Sequence, residues 1–304
     1  MEGRTVDIVV PFHGSEEALD GLIASLAGLA AGEVESLTVV DNRRESEPRT
    51  VAGIHVHAAP ELQSSYFARN RGAEVGSAEW ILFLDADVVA SSDLPRRYFR
   101  PPPGGGTGVL AGAVIDQPAP LGSGRRLAVA YAEARSHMSQ RNTLREGRWS
   151  YAQTANCAVR RSAFEAVGGF VETIRSGGDA DLCFRLREAG WGIEPRPDAA
   201  VMHRSRPTLR ELLAQRARHG AGAAWLNRRH PHSFPRRRWT GLAVWSARSE
   251  LGAVRCLIRG DRERALLGAI EPLDVWALEL GRLASNEARV EAGRMPIRSK
   301  LIAR

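Results

Sequence analysis

Two carboxylates, one residue apart, follow a run of large apolar residues in Ile81-Leu82-Phe83-Leu84-Asp85-Ala86-Asp87. A buried strand does not accept ionised side chains without partners. Asp85 and Asp87 therefore mark either the exit of a strand from a sheet or a place that holds a ligand. Carboxylates at this spacing suit Mg2+ or Mn2+, hard ions that take oxygen ligands and share their shell with substrate phosphates. A solvated acidic turn is the bland alternative. A second acidic pair, Asp179 and Asp181, follows two glycines in Ser176-Gly177-Gly178-Asp179-Ala180-Asp181. Glycines let a loop approach a ligand closely. Asp181 reads as a helix cap, whereas Asp179 is either a cap or a base held near a substrate hydroxyl. Finally, His203 closes a short apolar run in Val201-Met202-His203 and is followed by Arg204 and Arg206. A neutral imidazole ligates metals and arginines suit a diphosphate; a surface histidine in a basic loop is the competing reading.

These residues need elements to carry them. Residues 5–12 read as a strand ending at Pro11, and 36–42 as a second ending at Asp41. A third strand covers 53–58, and a fourth delivers Asp85 and Asp87. Between the first two, Ser15-Glu16-Glu17 opens a helix whose Leu19, Leu22, Ile23, Leu26 and Leu29 keep the helical period. Residues 64–77 read as another helix. Short apolar strands separated by helices predict a largely parallel sheet with crossover helices, and such sheets bind ligands at the carboxyl ends of their strands. Beyond a Pro/Gly segment at 100–108, a strand spans 109–115 and a helix runs from about 125 to Gly147. A capping-box spacing, Ser162 to Glu165, precedes a Gly-Gly stop, and a further helix runs from Asp179 to Gly190. Thr208 and Glu211 repeat the capping-box spacing. Two more helices follow near 239–259 and 261–286, with Pro272 kinking or dividing the second.

The chain has 304 residues, 43% of them hydrophobic and 25% charged, in the range of a soluble globular protein. Its three cysteines show no paired spacing, which predicts reduced thiols in a cytoplasmic setting. The N-terminal apolar run is shorter than a signal peptide needs, and no stretch matches a membrane span. The net charge of +7 is almost entirely arginine, with Lys300 the single lysine. That bias fits a coding signature better than a nucleic-acid surface, and nucleic acid is not expected as a partner.

Taken in order, PFHG, VVDN, ARNRG, ILFLDADV, NCAVRRSAFEAVGGF, GGDADLCFRLREAGW and VMHRSRPT resemble the family-2 glycosyltransferases of the GT-A fold, over about residues 5 to 225. The resemblance implies a GT-A catalytic domain at 1–225, its nucleotide-sugar half at about 1–100 and its acceptor half at 101–225, and a helical extension at 226–304. It implies transfer of a sugar from a nucleoside diphosphate sugar, UDP by default, with inversion and with Mn2+ or Mg2+. It places Pro11, His13, Asp41, Arg69, Asn70, Asp85, Ala86 and Gly178 around the nucleotide sugar, with Arg71 less directly involved. Asp87 and His203 fall on the metal, Asp179 on the base, and Asp181, Arg204, Arg206 and Arg218 on diphosphate or acceptor contacts. The family's base motif usually reads Glu-Asp-x-Asp; here Gly178 stands at the Glu position. Gln215 to His219 resembles the QxxRW motif of processive relatives but lacks its Trp, so processive synthesis is not expected.

The acceptor is left open: a small molecule, a glycan, a peptide or a lipid-linked molecule. The C-terminal helices interleave Trp239, Trp245, Leu251, Val254, Ile258, Leu266 and Trp276 with arginines. They read as a packed appendage, as a basic surface resting peripherally on an anionic membrane at its inner face, or as a site of self-association into a homo-oligomer. Two rivals stand beside the transferase reading: a non-catalytic nucleotide-sugar or glycan-binding protein of the same fold, and a nucleotidyltransferase. The second lacks its early Gly-rich basic loop, since residues 11–18 carry one glycine and no lysine or arginine.

Overall fold

The computed structural model describes residues 5–30, 34–117, 127–135, 138–144, 147–204 and 208–290. They divide between two compact units. The described residues of Met1–Ile115, Met138–Arg204 and Glu287–Arg304 form the first, and those of Asp116–His137 and Ser205–Asn286 the second.

The first unit begins with β1 (Val6–Phe12), α1 (Glu16–Ala30), β2 (Ser36–Asp41), β3 (Arg49–Val51), β4 (Ile54–Ala58), β5 (Leu62–Gln63), α2 (Ser65–Val75), β6 (Trp80–Leu84), β7 (Val88–Val89), α3 (Leu94–Tyr98) and β8 (Thr107–Asp116). Between β8 and the next strand the chain forms α4 (Leu127–Arg135) of the second unit and a short 3-10 turn at Gln140–Asn142. The first unit then resumes with β9 (Asn156–Arg160), α5 (Arg161–Ala166), α6 (Gly178–Glu188) and β10 (Gly192–His203). A nine-stranded mixed sheet runs in the order β3-β4-β2-β1-β6-β9-β8-β10-β7. β4, β2, β1 and β6 are parallel, so their carboxyl ends share one edge. β9 is antiparallel to both β6 and β8, and β7 is antiparallel to β10.

The central strands are buried along nearly their whole length, which is why they read as continuous apolar runs. Leu19, Leu22, Ile23, Leu26 and Leu29 of α1 are all buried, on the stripe their spacing predicts. One carboxylate sits inside this core: Asp7 accepts hydrogen bonds from the Ala78 amide and the Arg161 guanidinium, each at 2.8 Å, and from the Ser36 hydroxyl at 2.5 Å. With its charge compensated, it ties the start of β1 to β2 and α5.

Several local expectations change. The helix expected to reach Gly147 ends at Arg135. The Gln140 side chain instead turns onto the backbone of Gln153 and Asn156, and that buried anchor stops a continuous helix. Ser162 is not a cap, because β9 pairing continues through the Arg161 amide to Glu79 and α5 starts directly from the strand. Gly168 and Gly169, with φ of +74° and +69°, do end α5. β3 was missed in the sequence; it pairs with β4 across Ala52-Gly53, whose φ values of +51° and +79° match a two-residue hairpin turn.

The second unit contains α4, α7 (Leu209–Arg229), α8 (Trp239–Ile258) and α9 (Arg262–Gly281). The capping box Thr208–Glu211 opens α7 as expected, and Asp261 caps α9. α9 continues through Pro272. α7 groups with α8 and α9 by packing, although its sequence reads with the catalytic half. Tyr131, Leu212 and Ile270 form a small apolar core; Arg216, partly exposed, pairs with the buried Asp274 (2.9 Å), and Arg282 pairs with Glu279 (3.0 Å), both of them buried. α7 and α9 meet backbone to backbone, since a side chain at Gly281 would run into the Ala217 carbonyl and one at Gly220 into that of Leu278. Gly281→Ala is therefore expected to destabilise this unit by about 1–3 kcal/mol through overpacking, read as an earlier thermal unfolding transition. A similar substitution at Gly241, where nothing lies within 4 Å, is the control. Among the described residues no helix is long and apolar enough to cross a membrane.

Candidate active site

The carboxyl ends of β1, β2 and β6 deliver Pro11, Asp41 and Asp85 to one edge of the sheet. β6 ends at Leu84, so Asp85 is the first residue past the strand and is partly buried. The chain turns at once, with the Val88 amide donating to the Asp85 carbonyl, and re-enters the sheet as β7. β7 pairs with the end of β10, Val88 facing His203. That pairing brings His203 Nε2 within 3.5 Å of Asp87 Oδ2, while the Arg204 amide donates to the Asp87 carbonyl at 2.9 Å. His203 is buried and is not the surface histidine of the competing reading.

α2 supplies the other frame. Its N-cap is Ser64, whose hydroxyl accepts from the Tyr66 and Phe67 amides. Tyr66, Arg69 and Asn70, at positions i, i+3 and i+4, share one helix face. The Arg69 guanidinium pairs with Asp85 and is nearly fully buried. The Tyr66 hydroxyl donates to Asp179 Oδ1 at 2.8 Å. Asn70 donates to the Phe170 carbonyl and to Glu172 Oε1, each at 2.9 Å, and accepts from the Phe170 amide at 2.9 Å. Its amide, expected to lie against the nucleotide, is bonded to the loop before α6 and supports the site from that side.

α6 begins after Gly177, whose φ of +92° turns the chain into the helix. Asp179 lies in the first turn, and its Oδ2 accepts from the Thr154 amide at 3.2 Å and the Thr154 hydroxyl at 3.4 Å. Asp181 does not cap the helix. It lies one turn in, is fully buried, and accepts from Arg185 Nε at 2.8 Å. Arg185 also donates to the carbonyls of Val167 and Gly169. Where a diphosphate or acceptor contact was expected of Asp181, its side chain is fully buried and, through Arg185, holds the 167–169 turn.

Burial raises the Asp85 carboxyl above its ordinary value; Arg69 and, more weakly, His203 oppose this, while Asp87 and Asp179 reinforce it. Three carboxylates from two separate segments thus act on one another, which is a natural setting for a cation. Among the described residues no group of three or more His, Cys, Asp or Glu side chains has metal-binding geometry. The pair that fits is Asp87 with His203, one oxygen and one nitrogen donor facing across β7 and β10. Two protein ligands suffice for Mn2+ or Mg2+ when phosphate oxygens and water complete the shell.

At the carboxyl end of β2, Asp41 is buried and is held by Arg43 through both oxygens, Nε to Oδ1 at 2.9 Å and Nη2 to Oδ2 at 2.6 Å. Arg43 also pairs with Glu16 and lies 5.6 Å from the Phe12 ring centre. His13 is exposed, its Nδ1 3.3 Å from the Asn42 carbonyl. Ala86 and Pro11 are partly buried. Arg204 is exposed, and Arg206 lies outside the described residues. Arg218 is an exposed residue of α7 in the second unit.

Sequence reasoning missed Tyr66, Thr154 and Arg43. Tyr66 carried a signal, an aromatic residue one helical turn ahead of Arg69 and Asn70; Thr154 carried none. The three cysteines are free thiols; burial pushes Cys183 up to about 12, and Cys157 is raised by burial as well.

A family model described as Glycosyl transferase family group 2 matches residues 80–266. The chain is 32% identical over 240 residues to the pre-mycofactocin glycosyltransferase of Mycobacterium tuberculosis, covering 75% of this chain and 48% of that protein. It thus spans about half the length of that relative. It is 26% identical over 252 residues to glycosyltransferase AglE of Haloferax volcanii, 79% of each chain. The mannosyltransferase PcManGT from Pyrobaculum calidifontis, solved in complex with GDP-Man and Mn2+, superposes with a TM-score of 0.53 at 14% identity. That match covers 91% of this chain and 73% of the other, and shows a shared fold.

Proposed function

The chain belongs to glycosyl transferase family group 2, and from that premise we propose that it moves a sugar from a nucleoside diphosphate sugar to an acceptor hydroxyl, inverting the anomeric centre. The observation that carries the reading is the gathering of Asp85, Asp87, His203 and Asp179 from three separate segments of the first unit. Asp179 is the base: it takes the acceptor's proton as the acceptor oxygen bonds to the anomeric carbon. The bond from that carbon to the diphosphate oxygen breaks, and its electron pair leaves with the diphosphate. Asp87 and His203 would hold Mn2+ or Mg2+, which when bound would supply positive charge for the leaving diphosphate. Arg69 keeps Asp85 in place, and the exposed Arg204 adds charge beside the diphosphate. Pro11, His13 and the Arg43-bound Asp41 flank the nucleoside, with Ala86 and Gly178 close to the sugar.

UDP is the default donor, with GDP and dTDP sugars as the comparison set. The acceptor is a small molecule, glycan, peptide or lipid-linked molecule. In the second unit, α8 exposes Val244, Leu251 and Ile258 on one stripe, with the exposed Arg248, Arg255 and Arg259 alongside. An apolar stripe flanked by arginines supports peripheral contact with an anionic membrane.

The test is release of nucleoside diphosphate from a panel of UDP, GDP and dTDP sugars, with Mn2+, Mg2+ or a chelator. Water serves as acceptor, so no acceptor need be known. Release from one donor class that stops on chelation is the expected result. Absence of both release and calorimetric binding for every donor would overturn the reading. Binding without release, across the panel and both metals, would replace it with a nucleotide-sugar-binding protein.

A further inference from the structure

We propose that Tyr66 is the positioning residue of the base, and that position 178 is glycine so that the tyrosine ring can stand beside Asp179. The inference rests on the assignment of Asp179 as base and adds what holds that carboxylate in place.

Asp179 is anchored at both oxygens, from two different elements. Tyr66 of α2 donates to Oδ1 at 2.8 Å, while Thr154, in the loop before β9, donates to Oδ2 from its amide and hydroxyl. Donors on both oxygens fix the rotation of the carboxylate plane, and Oδ1, with Tyr66 as its one donor here, keeps a further lone pair for an incoming proton. Asp179 is itself only partly buried, so the carboxylate is held without being sealed off. Burial holds the Tyr66 phenol well above its ordinary value, so it acts as a donor.

The ring has no freedom to move away. It lies 5.5 Å from the Phe170 ring and 5.7 Å from the Arg69 guanidinium, and only 6% of the residue is exposed. The space it fills is the space a side chain at 178 would need. A Cβ there would fall 2.6 Å from the ring's Cε1 and 2.7 Å from its Cδ1 and Cζ. No real Cβ sits so close to a ring packed on its other side, so the placement of the Tyr66 ring requires glycine at 178. Residues 66 and 69 stand one turn apart on α2. The same helix face therefore carries the anchor of Asp179 and the cation that pairs with Asp85.

The experiment compares Tyr66→Phe, Gly178→Ala and Asp179→Asn with the parent chain, using metal-dependent nucleoside diphosphate release from the responsive donor and calorimetric donor binding. In this reaction water replaces the acceptor: its oxygen bonds to the anomeric carbon, its proton goes to Asp179, and the diphosphate leaves with the bonding pair. Tyr66→Phe keeps the ring and removes only the hydroxyl. It is expected to lower kcat by roughly 10- to 100-fold, the range that one hydrogen bond to a charged group represents, with KM and donor affinity within about two-fold. A purely structural tyrosine would leave kcat unchanged. Gly178→Ala, which displaces the ring, is expected to lower kcat in the same way and to add little in the Tyr66→Phe background beyond the first loss. Parent-like kcat in Tyr66→Phe alongside an inactive Asp179→Asn would overturn the positioning role alone. Parent-like release in Asp179→Asn would overturn the base assignment and the inference with it, as would a parent chain that binds donor and releases nothing.

Discussion

Replacing Asp179 by asparagine is expected to lower the rate of sugar transfer by about 10²- to 10⁴-fold, the range that a positioned general base contributes. The substitution is nearly isosteric. The amide oxygen can still accept from Thr154, and the amide nitrogen can donate to the Tyr66 hydroxyl oxygen, so the first turn of α6 should keep its place. What is lost is the ability to take a proton. The expected signature is therefore a fall in kcat with donor affinity within about two-fold, since a group used only in the transition state does not hold the ground state. The measurement is single-turnover release from saturated donor, with calorimetry for affinity. A variant that loses donor binding as well would place Asp179 among the donor contacts and remove it as the base.

Asp87→Ala is expected to abolish the stimulation of release by Mn2+ or Mg2+, a loss of about 10²- to 10³-fold at saturating metal, because a Lewis acid contributes several kcal/mol to charge stabilisation. Donor affinity falls too, since the diphosphate is bound partly through the metal. His203→Asn should act in the same direction but more weakly. It removes one donor across β7 and β10 and leaves the carboxylate, so the metal concentration for half-maximal release should rise by about 10- to 100-fold while the rate at saturation recovers most of its value. The two variants separate a ligand that sets affinity from one that also sets charge. Metal-independent release in the parent chain, unchanged in Asp87→Ala, would contradict both assignments.

The two predictions fall on residues whose roles had different visibility. Asp87 announces itself, because a carboxylate after Ile81-Leu82-Phe83-Leu84 has no reason to be there unless the strand ends or something binds. Asp179 is ambiguous in the chain, since a first-turn carboxylate is also a common response to a helix dipole. The structure separates the two acids of that motif. Asp181 turns inward to Arg185 and the 167–169 turn, and Asp179 turns toward Tyr66 and Thr154. Nothing in their spacing says which does which.

What the sequence by itself determined is local. Strand ends at Pro11, Asp41 and Asp85, the apolar stripe of α1, the Thr208–Glu211 capping box and the Gly168-Gly169 stop all follow from the preferences of residues a few positions apart. The order of the motifs added the family, hence the fold class. The tertiary structure alone decided which side chains meet. His203 reaches Asp87 because two short strands pair across a sequence gap of 116 residues, and Tyr66 reaches Asp179 across 113. It also decided that Asn70 and Asp181 serve the loop beside the site, and that α7 packs with α8 and α9 through glycine contacts. The physical reason is the range of the forces involved. Helical period, caps and turn chemistry act within one or two turns of chain. The desolvation of a carboxylate and the fit of a ring against a glycine depend on close packing between segments that no periodicity relates.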